Sequence, residues 1–286
     1  RRELPVPPLP EADCTAEAPR LTISVTRLEQ LSPALLELGC PARVYIPLEE
    51  VSRLESLPGE GPEWCAVLPR VWRDRDEPAL RTLLERARAL GFTGVLIGNL
   101  GHLPLVRGLN FHLYGDYGLN VFNSRSLAYL KDKELESACV SFELRFAQIR
   151  DLKKVLRAEA IVYGRLPLMI TENCLVQNET GCRLDRQGPC VPEDGPCRCG
   201  QPNVLVDRTG AAFPLLPAYG HRTEIQNSKP LYLADRPEHR RLGLAYARLR
   251  FTTETAEECV SVVQNYLDAA PAAGDFTRGL YERGVE

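Results

Sequence analysis

The sequence predicts an α/β protein built as a (β/α) barrel of the TIM type, irregular in places. Short β-rich runs alternate with longer amphipathic stretches from residue 21 to residue 174, and this order is typical of parallel βαβ units. A spacing of about 20–25 residues per unit, over seven or eight units, favours a closed barrel over an open sheet. The alternation then stops at a stretch rich in Cys, Gly and Pro.

Seven runs rich in β-branched and aromatic residues are the predicted barrel strands. Three stretches are predicted to be helices, because their apolar residues recur at helical spacing, as Leu80, Leu84 and Ala87 do. Some helices between residues 94 and 144 are expected to be reduced to turns. The predicted strands are residues 21–25, 44–48, 64–71, 94–99, 111–114, 138–144 and 158–170, and the predicted helices are residues 28–38, 79–90 and 146–156.

The rest of the chain divides by composition. Residues 1–20 are Pro-rich and contain no Met, so we expect a linker in a fragment that forms the C-terminal part of a longer protein. Residues 175–203 lack apolar periodicity and are predicted to be a metal-binding insert. Residues 21–174 and 204–286 then make one barrel-like domain with a small β-rich C-terminal region. That region is predicted to hold short strands at residues 204–206, 213–216 and 231–233, a hairpin turn at 207–210 and a helix at 256–269.

The composition excludes some classes of protein. A net charge of −3 excludes the global basic field of a non-specific nucleic-acid binder, although it is compatible with a local basic patch. No run of about 18 apolar residues occurs, so no membrane span is predicted. Five of the ten cysteines fall between residues 174 and 199, which does not suit a secreted disulfide scaffold. A reducing cytoplasm is therefore the predicted compartment.

The clustered cysteines indicate a metal site, because thiolates are soft ligands that select zinc or iron–sulfur clusters. Cys174 ends a predicted buried strand, which in a barrel places it at the C-terminal face. Cys182, Cys190 and Cys199 follow at intervals of eight or nine residues, with Cys197 close to the last of them. The spacing matches neither the zinc-ribbon nor the ferredoxin pattern. An iron–sulfur cluster, a structural zinc ion, and thiols or disulfides in a solvated loop remain open.

Several stretches resemble peptidase family U32, the collagenase-like peptidase family. Residues 116–124 (DYGLNVFNS) resemble the family's D-x-x-x-N-x-x-N-S strand and turn, and residues 141–144 (SFEL) resemble its S-x-E-L. Residues 164–174 (GRLPLMITENC) resemble its G-x-x-P-L-M strand that ends in Cys. Residues 222–233 and 276–285 resemble later family segments. The first hundred residues resemble the family only in outline.

The resemblance implies a barrel that carries a [4Fe–4S] cluster on four cysteines and hydroxylates bases of tRNA or rRNA, or quinone precursors. The family label implies a second activity, proteolysis. Longer members carry two barrel-like halves, and this chain resembles the C-terminal half. The implied partners are therefore the upstream half of the same protein and RNA. A third hypothesis is that this half binds substrate or supports assembly without catalysis.

One departure from the family pattern concerns the metal ligands. The family's last cysteine falls just before the R-x-E-I-x-N-S stretch, and this chain has His221 there. Histidine replaces Cys as an iron ligand in Rieske centres. The predicted ligands are therefore Cys174, Cys182, Cys199 and His221, with Cys190 or Cys197 as the alternative fourth ligand. Loss of the cluster in a degenerate half is a further alternative.

Carboxylates near predicted strand ends are the candidates for acid–base catalysis, and Glu143 and Asp116 are the predicted catalytic residues. Glu143 and Arg145 are two residues apart, so they would share a strand face and line the barrel if the strand extends that far. An ion pair between these two side chains is an equally compatible structural role. The barrel mouth near the metal is where such a carboxylate would meet a substrate.

Substrate binding is assigned to Asn120, Asn123 and Arg165, as candidates near the ends of predicted strands. Arginine binds anionic groups, and the amides donate and accept hydrogen bonds. For the two asparagines, hydrogen bonding within a turn is the structural alternative. The sequence contains neither HExxH nor GxSxG, so hydrolysis has little support from motifs.

Overall fold

The computed structural model describes residues 14–180 and 201–285, together with residues 8 and 11. Its main element is a closed barrel of eight parallel strands, which confirms the predicted fold. In chain order, the described strands of the barrel and of a second sheet are β1 (Arg20–Ser24), β2 (Arg43–Pro47), β3 (Glu63–Val67), β4 (Gly94–Ile97), β5 (His112–Gly115), β6 (Leu135–Cys139), β7 (Arg157–Gly164), β8 (Pro167–Thr171), β9 (Asn203–Val206), β10 (Ala212–Ala218), β11 (Arg222–Gln226), β12 (Leu231–Tyr232) and β13 (Tyr246–Arg250).

Strands β1 to β7 and β13 form the barrel in that order. Each pairs in parallel with the next, and β13 closes the barrel because it pairs with both β7 and β1. The short strand β12 adds to β7 in antiparallel orientation. The helices are α1 (Pro33–Gly39), α2 (Glu77–Leu90), α3 (His102–Val106), α4 (Ser124–Asp132), α5 (Phe146–Asp151), α6 (Leu175–Thr180) and α7 (Ala256–Leu267).

Local sequence signals explain where several helices begin. Ser32 caps α1 and is followed by Pro33 at the first helical position, where a missing N–H costs nothing. Thr255 and Glu258 form a capping box at the start of α7. Helix α2 buries the predicted apolar stripe against the sheet. Within the described part of the chain, no helix is long and apolar enough to cross a membrane.

Two features of the strands differ from the sequence prediction. The run at residues 158–170 is not one strand, because Gly164 has a φ of 119° and divides it into β7 and β8, which belong to different sheets. The eighth barrel strand, β13, was not predicted, because charged residues interrupt its apolar pattern. Between residues 94 and 144, where reduced helices were expected, α3 has only five residues, and the connection from β2 to β3 is likewise reduced, to the 3-10 helix Leu48–Arg53.

A second sheet is inserted between β7 and β13. It is antiparallel and has the order β8-β11-β10-β9. The predicted hairpin turn at residues 207–210 joins β9 to β10, and the Asp207 carboxylate accepts the Thr209 N–H at 2.8 Å. Strand β8 lies beside β11, with Thr171 opposite Thr223. The segment between β8 and β9 leaves and rejoins this insert sheet.

Apolar side chains form two separate clusters in the barrel. The larger one fills the layer between the strands and the surrounding helices, with Ile23, Val44 and Leu249 among its buried residues. A smaller one lies inside the barrel and consists of Tyr45, Cys65, Leu96 and Tyr114. Polar side chains also occupy the barrel interior, and they are described below. This division follows from the alternation of side chains along each strand.

Gly164 offers a test of how closely β7 approaches β13. A Cβ at this position would lie 2.0 Å from the Arg250 carbonyl oxygen, which is backbone and cannot swing aside. We expect Gly164→Ala to lower the free energy of unfolding by more than about 2 kcal/mol, from the steric overlap added to the strain of a positive φ. Urea unfolding followed by circular dichroism measures this loss.

Gly210→Ala is the matched control. Gly210 also has a positive φ, of 85°, but no atom lies within 4 Å of its Cβ position. Its substitution should cost only about 1 kcal/mol, the conformational part alone. Equal losses in the two variants would contradict the close approach at Gly164.

Candidate functional site

The centre of the barrel holds a buried charge network around Arg248 on β13. Its guanidinium donates to Asp116 Oδ1 at 2.6 Å and to Glu159 Oε2 on β7. The Glu159 carboxylate also accepts hydrogen bonds from the Thr22 hydroxyl, at 2.5 Å, and from the Tyr45 hydroxyl, at 3.2 Å. Thr22, Glu159 and Arg248 are almost fully buried. The network therefore joins β1, β2, β5, β7 and β13 through side chains.

Arg43 on β2 continues the network toward the N-terminal end of the barrel. It donates from Nε to Glu63 at 2.9 Å and from Nη1 to the Tyr45 hydroxyl at 3.0 Å. Its guanidinium carbon lies 3.4 Å from the ring centroid of Tyr114 and 4.7 Å from that of Tyr246. Hydrogen-bond acceptors and stacked aromatic rings both stabilise a buried guanidinium, so these contacts hold Arg43 inside the barrel.

The pKa of Glu159 shows which interaction prevails in the network. Burial acts to raise this pKa, but the charge and hydrogen bond of Arg248 lower it below its ordinary value. Burial raises the pKa of Tyr45 well above its ordinary value, and the Glu159 carboxylate adds to that rise. The carboxylate of Glu159 is therefore ionised and the Tyr45 phenol is protonated near neutral pH.

The C-terminal mouth of the barrel is covered by one face of the insert sheet. Glu224 on β11 accepts a hydrogen bond from Arg70 at 2.8 Å and another from Arg250 at 3.2 Å. Gln226 accepts from Arg250 at 2.8 Å. Arg70 follows β3 and its guanidinium lies 5.1 Å from the ring centroid of Tyr117. The mouth is thus lined by arginines from the barrel, a buried tyrosine and polar residues from the insert sheet.

The two predicted catalytic carboxylates differ in position. Asp116 directly follows β5, is buried, and points into the barrel, where it pairs with Arg248. Strand β6 ends at Cys139, and residues 141–144 form a turn in which Leu144 N–H donates to Ser141 O at 3.2 Å. The extended strand that would place Glu143 and Arg145 on one face is therefore absent. Asp116 lies at the mouth, and Glu143 lies on the turn after β6.

The predicted substrate-binding residues have structural contacts. Asn123 caps α4, since its Oδ1 accepts the N–H groups of Arg125 and Ser126. Asn120 adopts a left-handed conformation, with a φ of 53°, and is exposed. Arg165 follows β7 and donates to Asn227 O at 3.1 Å and to Ser228 O, while its own carbonyl accepts from Arg250. Asn123 thus caps a helix and Asn120 lies in a turn, and their role in substrate binding stays a prediction.

Two of the predicted metal ligands lie at the same end of the insert sheet. Cys174 follows the end of β8 and is buried, and its sulfur accepts the Gln177 N–H at 3.4 Å. His221 lies in the turn between β10 and β11, with a φ of 59°. The pairing of Thr171 with Thr223 sets the end of β8 beside the start of β11. The segment that leaves β8 and the turn carrying His221 are therefore neighbours.

The other four candidate ligands, Cys182, Cys190, Cys197 and Cys199, lie outside the described residues. Among the residues that the structure describes, no three His, Cys, Asp or Glu side chains are grouped as a metal site requires. Cys174 instead packs with Val176, Leu215 and Ile225 on the face of the insert sheet opposite Glu224. A thiol with an N–H donor at the end of a strand has the chemistry of a ligand for a soft metal.

The sequence prediction missed several residues that the structure brings together at the mouth and in the interior, and a signal for them exists. In residues 245–251, Arg248 and Arg250 alternate with Ala247 and Leu249, which is the period-2 pattern of a strand with one charged face. Glu159 similarly interrupts an apolar run. Charges within such runs indicate a paired polar interior. The residues missed are Arg43, Arg70, Glu159, Glu224, Arg248 and Arg250.

Comparisons with known proteins point to one family. The sequence model of peptidase family U32 matches residues 57–203, just over half of the chain. The structure of the U32 peptidase Mk0906 is similar with a TM-score of 0.45 and 9% identity, covering 86% of this chain and 98% of that chain. The structure of a mutant tryptophan synthase α-subunit from Pyrococcus furiosus is similar with a TM-score of 0.37 and 10% identity, covering 52% of this chain and 79% of that chain. No curated protein matches the chain in sequence.

Replacing Arg248 tests the central charge network. Arg248→Leu leaves Glu159 and Asp116 buried without their cation, and we expect a loss of about 3–5 kcal/mol in the free energy of unfolding near neutral pH. In the unaltered chain the lowered pKa of Glu159 stabilises the fold above about pH 4, and this contribution is lost as the pH falls through the folded-state pKa. Urea unfolding at several pH values measures both effects.

The variant should show the opposite dependence on pH. Without the guanidinium, burial raises the folded-state pKa of Glu159 above the unfolded value, so the contribution of Glu159 to stability is present below about pH 4 and is lost as the pH rises. Arg241→Leu, at an exposed arginine, is the control and should change the free energy of unfolding by less than about 0.5 kcal/mol. A pH-independent loss in Arg248→Leu would contradict the assignment.

Proposed function

The chain belongs to peptidase family U32, and we propose that it takes part in iron–sulfur-dependent hydroxylation of RNA bases or of a related small aromatic substrate. The observation that carries the proposal is the position of Cys174 and His221 at one end of the insert sheet. Cys174 packs on one face of this sheet, and the opposite face, which carries Glu224, covers the polar mouth of the barrel. That arrangement brings candidate ligands for a redox centre next to the face of the barrel where substrates bind in this fold.

The donor set fits a cluster in part. Cys174 and His221 offer a thiolate and an imidazole, which are ligands found in iron–sulfur proteins. Two further ligands would come from Cys182 and Cys199, and Cys190 or Cys197 is the alternative to His221 as the fourth ligand. The Gln177 N–H donates to the sulfur of Cys174 at 3.4 Å, and such bonds to cluster sulfurs help to set reduction potential. A zinc ion on the same donors is the alternative cofactor.

The residues of the barrel would supply binding and proton handling. When bound, a [4Fe–4S] cluster supplies one-electron transfer. Asp116, at the end of β5, would hold a proton on its carboxylate during the reaction, with Arg248 fixing its orientation. The ring of Tyr117 and the guanidinium of Arg70 offer a flat surface for a planar aromatic group. Glu224 and Gln226 would exclude water from above the barrel.

A second candidate function, a binding or assembly role without catalysis, is favoured by the ion pairs at the mouth. Asp116 is bonded to Arg248, and Glu224 is bonded to both Arg70 and Arg250. Carboxylate oxygens that are held by guanidiniums have fewer lone pairs open to a proton from a substrate. In this reading, the charged mouth holds the insert sheet in place for a partner.

Metal analysis of anaerobically purified protein tests the cofactor. We expect a brown protein with broad absorption near the blue end of the visible range and with iron and sulfide in stoichiometric amounts. Cys174→Ala and His221→Ala should each lower the iron content, because each removes a proposed ligand. A colourless protein that carries one zinc ion would contradict the cluster.

Cys65→Ala is the control for the cysteine variants. Cys65, on β3, is fully buried inside the barrel beside Tyr45 and does not belong to the insert sheet. Its substitution removes a thiol without removing a proposed ligand, so iron and sulfide should stay at the level of the unaltered chain. If His221→Ala also retains full iron, the fourth ligand belongs to a cysteine instead.

Asp116→Asn distinguishes the two candidate functions. The amide keeps the size of the side chain but is a far weaker base, so a catalytic role predicts a loss of at least about 100-fold in hydroxylated product. Mass spectrometry of RNA from cells that carry the variant in the complete protein measures the product. Asp132→Asn, at an exposed residue at the end of α4, should have no effect. Unchanged product in Asp116→Asn would favour the non-catalytic role.

A further inference from the structure

We infer that the boundary between the barrel and the insert sheet is a binding site for an oxyanion, the phosphate or carboxylate group of a ligand. As a substrate site it rests on the proposed function, whereas the anion chemistry itself needs no cluster. The site is named here the arginine junction. It consists of Arg70, Arg73, Arg222 and Arg250 with the bridging carboxylates of Glu172 and Glu224.

The inner half of the arginine junction lies over the barrel mouth. One carboxylate, that of Glu224, bridges two guanidiniums, because Oε1 accepts from Arg70 at 2.8 Å and Oε2 accepts from Arg250 at 3.2 Å. The two arginines come from the ends of different barrel strands, and the carboxylate comes from the insert sheet. The Arg70 side chain is 34% exposed, so its guanidinium can meet a ligand from solution.

The outer half repeats the arrangement nearer the surface. Glu172 Oε2 accepts from Arg73 at 2.8 Å and from Arg222 at 3.0 Å. Both donors lower the pKa of Glu172, and Arg222 is the larger cause. The side chains of Glu172 and Arg73 are more than half exposed, whereas that of Arg222 is only 5% exposed. Nε of this buried Arg222 has no hydrogen-bond partner within the described residues.

The charges of the arginine junction do not balance. Four guanidiniums face two carboxylates, which leaves an excess of two positive charges. The nearby Asp76 does not supply the missing charge, because its carboxylate pairs with Arg75 at 3.9 Å and accepts the backbone N–H of Arg73. Forked guanidiniums that already bond carboxylates in this way match the geometry of an incoming carboxylate or phosphate.

The position of the site indicates what it would hold. Glu172 lies two residues before Cys174, and Arg222 directly follows His221. Arg70 lies against the ring of Tyr117 at the barrel mouth. An oxyanion that replaces the exposed Glu172 carboxylate on Arg73, and that also reaches the partly exposed guanidinium of Arg70, would anchor a ligand between the mouth and the candidate metal ligands. An RNA phosphate and the carboxylate of a small aromatic acid are the two sources of this chemistry.

Calorimetric titration of the complete chain tests the site. Uridine 5′-monophosphate and benzoate are the probes, and uridine and benzyl alcohol are their uncharged counterparts. We expect saturable binding of at least one charged probe and none of its counterpart, with affinity falling as salt is added. Binding of the nucleotide alone identifies a phosphate site, and binding of benzoate as well identifies a general oxyanion site.

Matched variants locate the binding. Arg73→Gln and Arg70→Gln should each weaken binding of the charged probe at least about fivefold, because each removes a charge-assisted contact. Arg75→Gln removes the same charge from the same loop outside the junction and should change the affinity by less than about twofold. Glu172→Gln removes the competing internal carboxylate and should strengthen binding by about threefold.

Several results would overturn the inference. These are equal losses in Arg73→Gln and Arg75→Gln, equal binding of uridine and its monophosphate, or no binding of either charged probe at millimolar concentration. Iron content is measured on the same preparations. Binding of a charged probe by protein without iron would support the arginine junction and contradict the cluster. Protein that holds iron but binds neither probe would support the cluster and contradict the arginine junction.

Discussion

Inside the barrel, the guanidinium of Arg248 is bonded to Asp116 and to Glu159, two carboxylates that would each be costly to bury alone. These bonds connect β13 with β5 on the opposite side of the barrel and with β7 beside it. Tyr45 on β2 and Thr22 on β1 donate further hydrogen bonds to Glu159. The interior is therefore satisfied by charge pairing where barrels of this type more often use branched apolar layers.

The same strand also determines where the insert sheet lies. Arg248 and Arg250 are two residues apart on β13, so they share a face, and one bonds inward while the other bonds Glu224 and Gln226 of β11. Strand β13 closes the barrel only after the chain has passed through the whole insert sheet. Closure of the barrel and placement of the insert sheet over its mouth are thus parts of one arrangement.

That arrangement bears on both candidate functions. A mouth held together by ion pairs between arginines and carboxylates is preorganised, which suits recognition of charged or hydrogen-bonding groups. The same pairs restrain the carboxylates that an enzyme would use as bases. Cys174 lies on the other face of the insert sheet from Glu224, so the sheet itself separates the candidate metal end from the barrel interior. The outer half of the arginine junction, Glu172 and Arg222, lies at the same end of the sheet as Cys174 and His221.

Alternation of β-rich runs and amphipathic stretches was enough to predict the barrel, seven of its strands and the turn at residues 207–210, because these patterns are local. The resemblance to the family likewise depended on local motifs, and the family match extends it. Strand β13 escaped prediction because its inward residues are arginines, whose burial makes sense only beside Asp116, Glu159 and Glu224. Glu143 was expected on a strand and lies on a turn, since nothing local marks the end of β6.

By itself, then, the sequence determined the fold class, the family and the clustering of thiols, all of which are written in short-range patterns. Only the tertiary structure decided that Asp116 is paired with Arg248, that Cys174 and His221 share one end of the insert sheet, and that Glu172 and Glu224 each bridge two arginines. The physical reason is that buried charges are stable only with partners distant in the chain, such as Asp116 and Arg248, and no local pattern specifies which partner a charge will meet.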